Sequence, residues 1–263
     1  MVMSFGHQCI GSGPLLRLLA ATLAFAFGAA FAASAFAEPA TPRTIIEVPS
    51  YPWSAVGTVN FEGDLAYCTG SLIAPDKAVT AAHCLWNATT DAWRSVDTMR
   101  FVAAYQRGTY LAKSKVVAIS MIGDWSGAGD WANDLAILHL DKPIGDIAGV
   151  FPLGALPDGV SKAVQAGYRA DAPHVLSVNQ DCPITAVKDA AGLAGSGLAV
   201  HGCATVMGDS GAPILSLKDG RYTLVAIHVA SSQGQDTPMG LAVPTAGILR
   251  AAALLRTTLA SAR

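Results

Sequence analysis

The chain lacks several features that assign function quickly. It has no lysine/arginine cluster, and its 17 basic residues against 19 acidic ones leave a formal net charge of −2. A near-neutral chain without a basic patch has no electrostatic footprint for a nucleic acid or an anionic membrane surface. It has no glycine-rich phosphate loop, which removes the usual signature of nucleotide chemistry. No Cys-x-x-Cys pair occurs among its five cysteines, which argues against a zinc site. Neither a metal nor an organic cofactor is expected. Internal repeats are absent, which excludes a repeat architecture.

What is present begins at the N-terminus. Arg17 precedes an apolar run from Leu18 to Phe36, and Ala35 and Ala37 flank Phe36 in an Ala-x-Ala pattern. Residues 1–37 therefore read as a secretory signal, with the mature chain starting at Glu38. The run is about long enough to span a bilayer, but its small-residue end favours cleavage over retention as an anchor. No membrane association is expected of the mature form, and its location is secreted or periplasmic. The mean hydropathy of +0.40 is inflated by this segment. About 226 residues remain, enough for a large core in one or two sub-domains. Cys9 leaves with the signal. Cys68, Cys84, Cys182 and Cys203 are left, an even number that suggests disulfides with three pairings open.

The centre of the chain's chemistry is Met207-Gly208-Asp209-Ser210-Gly211-Ala212-Pro213. Two glycines around a serine let the backbone turn tightly and let a substrate approach. The amides of Gly208 and Ser210 could then converge on the oxyanion of a tetrahedral intermediate. Serine alone is a poor nucleophile and needs a base. His83, in Val79-Thr80-Ala81-Ala82-His83-Cys84, is the best base. Asp134, in Asn133-Asp134-Leu135-Ala136-Ile137-Leu138, leads straight into an apolar strand where a carboxylate is shielded, and is the best orienter. The order His, Asp, Ser differs from that of the α/β-hydrolases and of the subtilisins.

Thr80-Ala81-Ala82-His83-Cys84, Asp134-Leu135-Ala136-Ile137-Leu138 and Gly208-Asp209-Ser210-Gly211-Ala212-Pro213 together resemble the three active-site motifs of trypsin-like serine peptidases, over roughly Pro52 to Leu255. Ala212 replaces the usual second glycine, a mild departure. The resemblance implies an all-β fold of two six-stranded antiparallel barrels with the active site in the cleft between them. On that reading residues 51–147 form the first barrel and 148–263 the second with a C-terminal helix. The resemblance also implies a Cys68–Cys84 bridge, leaving Cys182 with Cys203. Most trypsins and chymotrypsins carry Ser-Trp-Gly where this chain has Ala226-Ile227-His228-Val229-Ala230. With Tyr51-Pro52-Trp53-Ser54-Ala55-Val56-Gly57 and Lys142-Pro143-Ile144-Gly145, this segment is more similar to the bacterial glutamyl endopeptidase branch. There a hydroxyl and a histidine bind the acidic side chain, which implies Thr205 and His228 as substrate-binding residues. Ala204 stands where a trypsin-type pocket has its aspartate, so cleavage after Lys or Arg is not expected.

Short runs rich in Val, Ile, Tyr and Thr, bounded by Gly, Pro, Asp or Asn, read as strands. They are Ser54–Asn60, Leu65–Ile73, Ala78–Ala81, Arg100–Tyr105, Ser114–Met121, Leu135–Leu140, Lys162–Gly167, His174–Asn179, Leu198–His201, Ala212–Leu217, Tyr222–Val229 and Gly240–Val243. Helical spacing over Ala246–Leu259 predicts the C-terminal helix. Residues 38–50 read as a propeptide or an N-terminal strap. In many trypsin relatives the aspartate before the serine pairs with an amine newly made by proteolysis. Cleavage after Arg43 would make Thr44 such an end; the alternative is that Asp209 pairs with an internal arginine or caps its turn. The reading is an exported serine endopeptidase, expected to be a monomer acting on protein or peptide substrates. The alternatives are an inactive homologue that binds peptides and an esterase using the same triad.

Overall fold

The structure, a computed structural model, describes residues 43–47, 49–186, 197–231 and 239–249. The expected signal segment, and the tail beyond residue 249, lie outside the described residues. The chain enters at β1 (Thr44–Ile45) and builds a barrel from β2 (Val56–Phe61), β3 (Tyr67–Ala74) and β4 (Lys77–Thr80). A short hairpin, β5 (Trp86–Asn87) and β6 (Ala92–Trp93), follows. Then β7 (Met99–Ala103), β8 (Ala112–Met121) and β9 (Ala136–Leu140) complete a closed antiparallel barrel in the order β2-β3-β4-β9-β8-β7. Alternation decides which side faces inward. In β8, Ala112, Ser114 and Val116 are buried while Lys113, Lys115 and Val117 are exposed.

One helical turn, α1 (Gly145–Ala148), leads to the second barrel. Its strands are β10 (Ser161–Tyr168), β11 (Leu176–Ala186), β12 (Ala199–His201), β13 (Pro213–Lys218), β14 (Arg221–Ser231) and β15 (Gly240–Pro244). They run β11-β10-β13-β14-β15-β12, and a β11–β12 pairing closes the sheet. The N-terminal strand β1 occupies the part of the β11 edge that β12 does not reach, with Thr44 opposite Val178 and Ile45 opposite Ser177. Buried Phe101, Leu138, Tyr168, Leu215 and Leu224 belong to one apolar cluster that spans both barrels. Ile184, Ile214, Ala226 and Ala242 form a second cluster. Cys68 is bonded to Cys84, and Cys182 to Cys203.

Every expected strand is present. The expected end of one at Asn179 is corrected: β11 runs on to Ala186. Gln180 and Asp181 resemble a turn, but they form a bulge at which Asp181 takes φ +58° and the pairing with β10 shifts register. Beyond it Cys182 and Ile184 turn inward again. The two-residue strands β1, β5 and β6 were not expected, because they are too short for any periodicity to register. Residues 246–249 begin the C-terminal helix, with Ile248 buried. Among the described residues no helix is long and apolar enough to cross a membrane.

Candidate active site

His83 lies on a single 3₁₀ turn, Ala82–Leu85, directly after β4. Flanking Ala81, Ala82 and Leu85 are fully buried, and the disulfide from Cys84 to Cys68 ties the turn to β3. Asp134 follows another 3₁₀ turn, Trp131–Asn133, and is 2% exposed. Its Oδ1 accepts the His83 amide at 2.7 Å, and its Oδ2 lies 2.6 Å from His83 Nδ1. A buried carboxylate only accepts, so the Nδ1 hydrogen is fixed there and Nε2 is left as an acceptor. The Ser210 hydroxyl lies 2.9 Å from that Nε2. A nucleophile, its base and the base's orienter are thus in register.

Ser210 is delivered by a turn that both barrels hold. Thr69 of β3 donates its amide to Ser210 O at 2.9 Å and its hydroxyl to Gly208 O at 2.8 Å. The Gly211 amide bonds to His228 O at 2.8 Å. Gly208 and Gly211 take φ of +91° and +80°, and a Cβ on Gly211 would sit 2.1 Å from Thr69 O. The tight turn and the close approach therefore both require glycine. Among the described residues, no backbone carbonyl takes the amide hydrogen of Gly208 or Ser210.

Asp209 faces away from the cleft and is fully buried. Its Oδ2 accepts from Arg43 Nη1 at 3.0 Å and from the Val206 amide at 3.1 Å. Burial pushes the Asp209 carboxyl up and the Arg43 guanidinium down, while their mutual attraction opposes both shifts. Of the two partners left open above, Asp209 therefore has the internal arginine.

His228 is 2% exposed and lies in a chain of polar groups that sequence reasoning caught only in part. His201 Nε2 is 3.0 Å from His228 Nδ1. The Cys203 amide donates to His201 Nδ1 at 3.3 Å, so His201 Nδ1 accepts and its Nε2 carries the hydrogen. His228 Nδ1 then accepts, and the His228 hydrogen is on Nε2, which faces Ser231 Oγ at 3.3 Å. Thr205 Oγ1 lies 2.6 Å from the same Ser231 Oγ. Burial lowers the His201 imidazole to about 4 and takes His228 well below the usual range, so both stay neutral. His201 and Ser231 are the residues that sequence reasoning missed. The inward position of His201 at the end of a short alternating strand was the one available signal.

On the other side of His83 a cavity of about 760 Å³ is lined by Trp86, Trp93, Trp125 and Trp131 together with Asp134 and Val229. Trp86, Trp93 and Trp125 meet edge to face, with centroids 5.2 to 6.1 Å apart. Among the described residues, one grouping has metal-site proximity: Cys68, His83 and Cys84. Its two sulfurs are bonded to each other, so no thiolate is offered to an ion.

Comparison with known proteins agrees with this geometry. In fold the chain is similar to a Glu endopeptidase solved in complex with MPD, with a TM-score of 0.64 at 19% identity, covering 81% of this chain and 95% of that one. It is also similar to the protease Anisep from Arthrobacter nicotinovorans, with a TM-score of 0.61 at 18% identity over 77% and 93% of the two chains. In sequence it is 33% identical over 144 residues to a modular serine protease of Drosophila melanogaster, a match covering 48% of this chain and 23% of that protein. The chain thus matches less than a quarter of that relative's length. The profile of the family described as Trypsin matches residues 45–251, which include all three members of the hydrogen-bonded set. With that span and that geometry, the chain belongs to the trypsin family.

Proposed function

We propose that the protein is an exported serine endopeptidase that cleaves after acidic side chains. One observation carries the chemistry: a serine hydroxyl 2.9 Å from an imidazole that a buried carboxylate holds at 2.6 Å. Ser210 Oγ attacks the substrate carbonyl carbon as its proton passes to His83 Nε2, and Asp134 stabilises the imidazolium. The Gly208 and Ser210 amides bind the oxyanion. The imidazolium then protonates the leaving amine, and water repeats the sequence on the acyl-enzyme. Two disulfides suit an oxidising compartment outside the cytosol.

The acidic preference rests on three donors with no carboxylate among them. Thr205, Ser231 and His228 form a chain, with Thr205 Oγ1 2.6 Å from Ser231 Oγ and Ser231 Oγ 3.3 Å from His228 Nε2. An acidic side chain entering there accepts from several donors and recovers part of its desolvation cost. The likeness in fold to a Glu endopeptidase agrees with this reading. An extended substrate alternates its side chains, so the residue before the acidic one points away from His228 and toward the tryptophan-lined cavity beside His83. That position suits an apolar or aromatic side chain.

The test is to treat the folded protein with a fluorophosphonate, map the label, and then profile cut sites in a protein mixture. Labelling at Ser210 that disappears in Ser210→Ala, with cuts after Glu and Asp, is the expected result. A folded protein that leaves Ser210 unlabelled overturns the enzymatic reading, and a Lys/Arg pattern overturns the acidic preference.

A further inference from the structure

We propose that Arg43 is the positioning residue for the oxyanion-binding turn, so that the site is assembled with the Arg43–Thr44 bond intact and cleavage of that bond disables the enzyme. The inference rests on the reading of Ser210 as nucleophile. Arg43 has a side chain only 3% exposed, and every nitrogen of its guanidinium is used. Nη1 donates to Asp209 Oδ2 at 3.0 Å and to Ala204 O at 3.2 Å. Nη2 donates to Ser177 O at 2.9 Å and to Gly167 O at 3.4 Å, and Nε donates to Ser177 Oγ at 3.0 Å. One side chain thereby joins β10, β11, the segment before the nucleophile and the residue next to it.

Asp209 needs this cation. The carboxylate is fully buried, and its Oδ1 has no hydrogen-bond partner among the described residues. Its charge is balanced in direct contact by Arg43. Removing that partner leaves an uncompensated buried anion, which must either take up a proton or rotate out toward water. Asp209 lies between Gly208 and Ser210, so its rotation would turn both amides away from the oxyanion position assigned to them above.

A newly cut terminus cannot take over as the chain stands. Thr44 is held in β1, opposite Val178, and the Ile46 amide bonds to Leu176 O at 2.9 Å. The Glu47 carboxylate is paired with the Arg107 guanidinium. Cutting after Arg43 leaves the guanidinium on the departing piece and fixes the new amine on the sheet edge. The cation that serves Asp209 therefore sits on the opposite side of the bond from a cleavage-generated amine.

The full chain is the material for the test, with Arg43→Lys, Arg43→Met and the doubly neutral Arg43→Met/Asp209→Asn, each checked for a cooperative melt. The readouts are fluorophosphonate labelling rate, kcat and KM on a peptide substrate, and the N-terminal sequence of the labelled species. Labelled wild-type molecules should still contain Arg43. Arg43→Met should lose about 100-fold in kcat, comparable with removing an oxyanion donor, with KM changed little, and the doubly neutral variant, which has no buried anion to expel, should regain about 10-fold of that loss. Arg43→Lys should recover at least about 10-fold of that loss, since the charge returns without the fork of donors. Labelled wild type beginning at Thr44 overturns the proposal, and so does a folded Arg43→Met that keeps its kcat; where Arg43→Met does not fold, the N-terminal sequence of the labelled wild type decides. Failure of wild type to label at all strikes the nucleophile assignment instead.

Discussion

Acid should weaken this fold through His201, by an amount that can be worked out beforehand. His201 is fully enclosed, with its Nε2 hydrogen given to His228 and its Nδ1 occupied by the Cys203 amide. Burial lowers its imidazole from 6.5 to about 4. The unfolded chain binds a proton there below pH 6.5 and the folded chain does not, so acid favours unfolding. The stabilisation is fully present above pH 6.5 and drains away as pH falls toward 4. At 1.36 kcal/mol per unit, the loss is about 2 kcal/mol by pH 5 and about 3 kcal/mol by pH 4. A domain of this size loses about 2–4 °C of Tm per kcal/mol, which gives about 4–8 °C at pH 5. The assay compares melts of Ser210→Ala, used to prevent self-digestion, with Ser210→Ala/His201→Gln between pH 7 and 4.5. Carboxylates common to both chains cancel. The parent should lose those extra degrees relative to the glutamine variant. Parallel Tm curves would refute the reasoning that a neutral buried histidine sets this slope.

Other outcomes follow from the same geometry. Asp134→Asn should fold normally yet lose on the order of 10⁴ in kcat, because the amide no longer fixes the Nδ1 hydrogen of His83; steady-state kinetics decide. A Cβ on Gly240 would sit 2.2 Å from the His201 ring. Gly240→Ala should therefore lower kcat/KM for substrates with Glu before the scissile bond more than for matched Gln substrates, by roughly 10-fold, the scale of one well-placed polar contact. Trp125→Ala removes one wall of the aromatic cavity. It should cost about 1–3 kcal/mol of discrimination for Phe over Ala in the residue before the acidic one, measured as a ratio of kcat/KM values.

Much of the molecule was legible in the residues. The barrel strands alternate and end on Gly, Pro, Asp or Asn, so each announces itself over a handful of positions. His83, Asp134 and Ser210 sit in local sequences distinctive enough to be found without any contact map. What was hidden depends on register between distant strands. His201 meets His228 because Gly240 of β15 lies opposite His201 and Ala242 lies opposite His228, leaving room for one ring to pass over the glycine. No local pattern encodes that pairing. Ser231 closes its strand with an ordinary polar residue, and its value comes from the 2.6 Å approach of Thr205. Arg43 stood out as a candidate cleavage site, and nothing local marked it as the internal arginine that Asp209 pairs with. Its burial follows from a two-residue strand too brief to be recognised.

Thr69 carries one more implication. It belongs to the wall that bears the histidine, yet its amide and hydroxyl both hold the turn that bears the serine. Its oxygen also accepts the Tyr168 amide at 3.0 Å. The two halves of the groove are therefore riveted to each other at the reacting atoms. Parting them would break these three bonds and draw the histidine away from the serine, so a peptide meets a groove whose reacting walls are already pinned together.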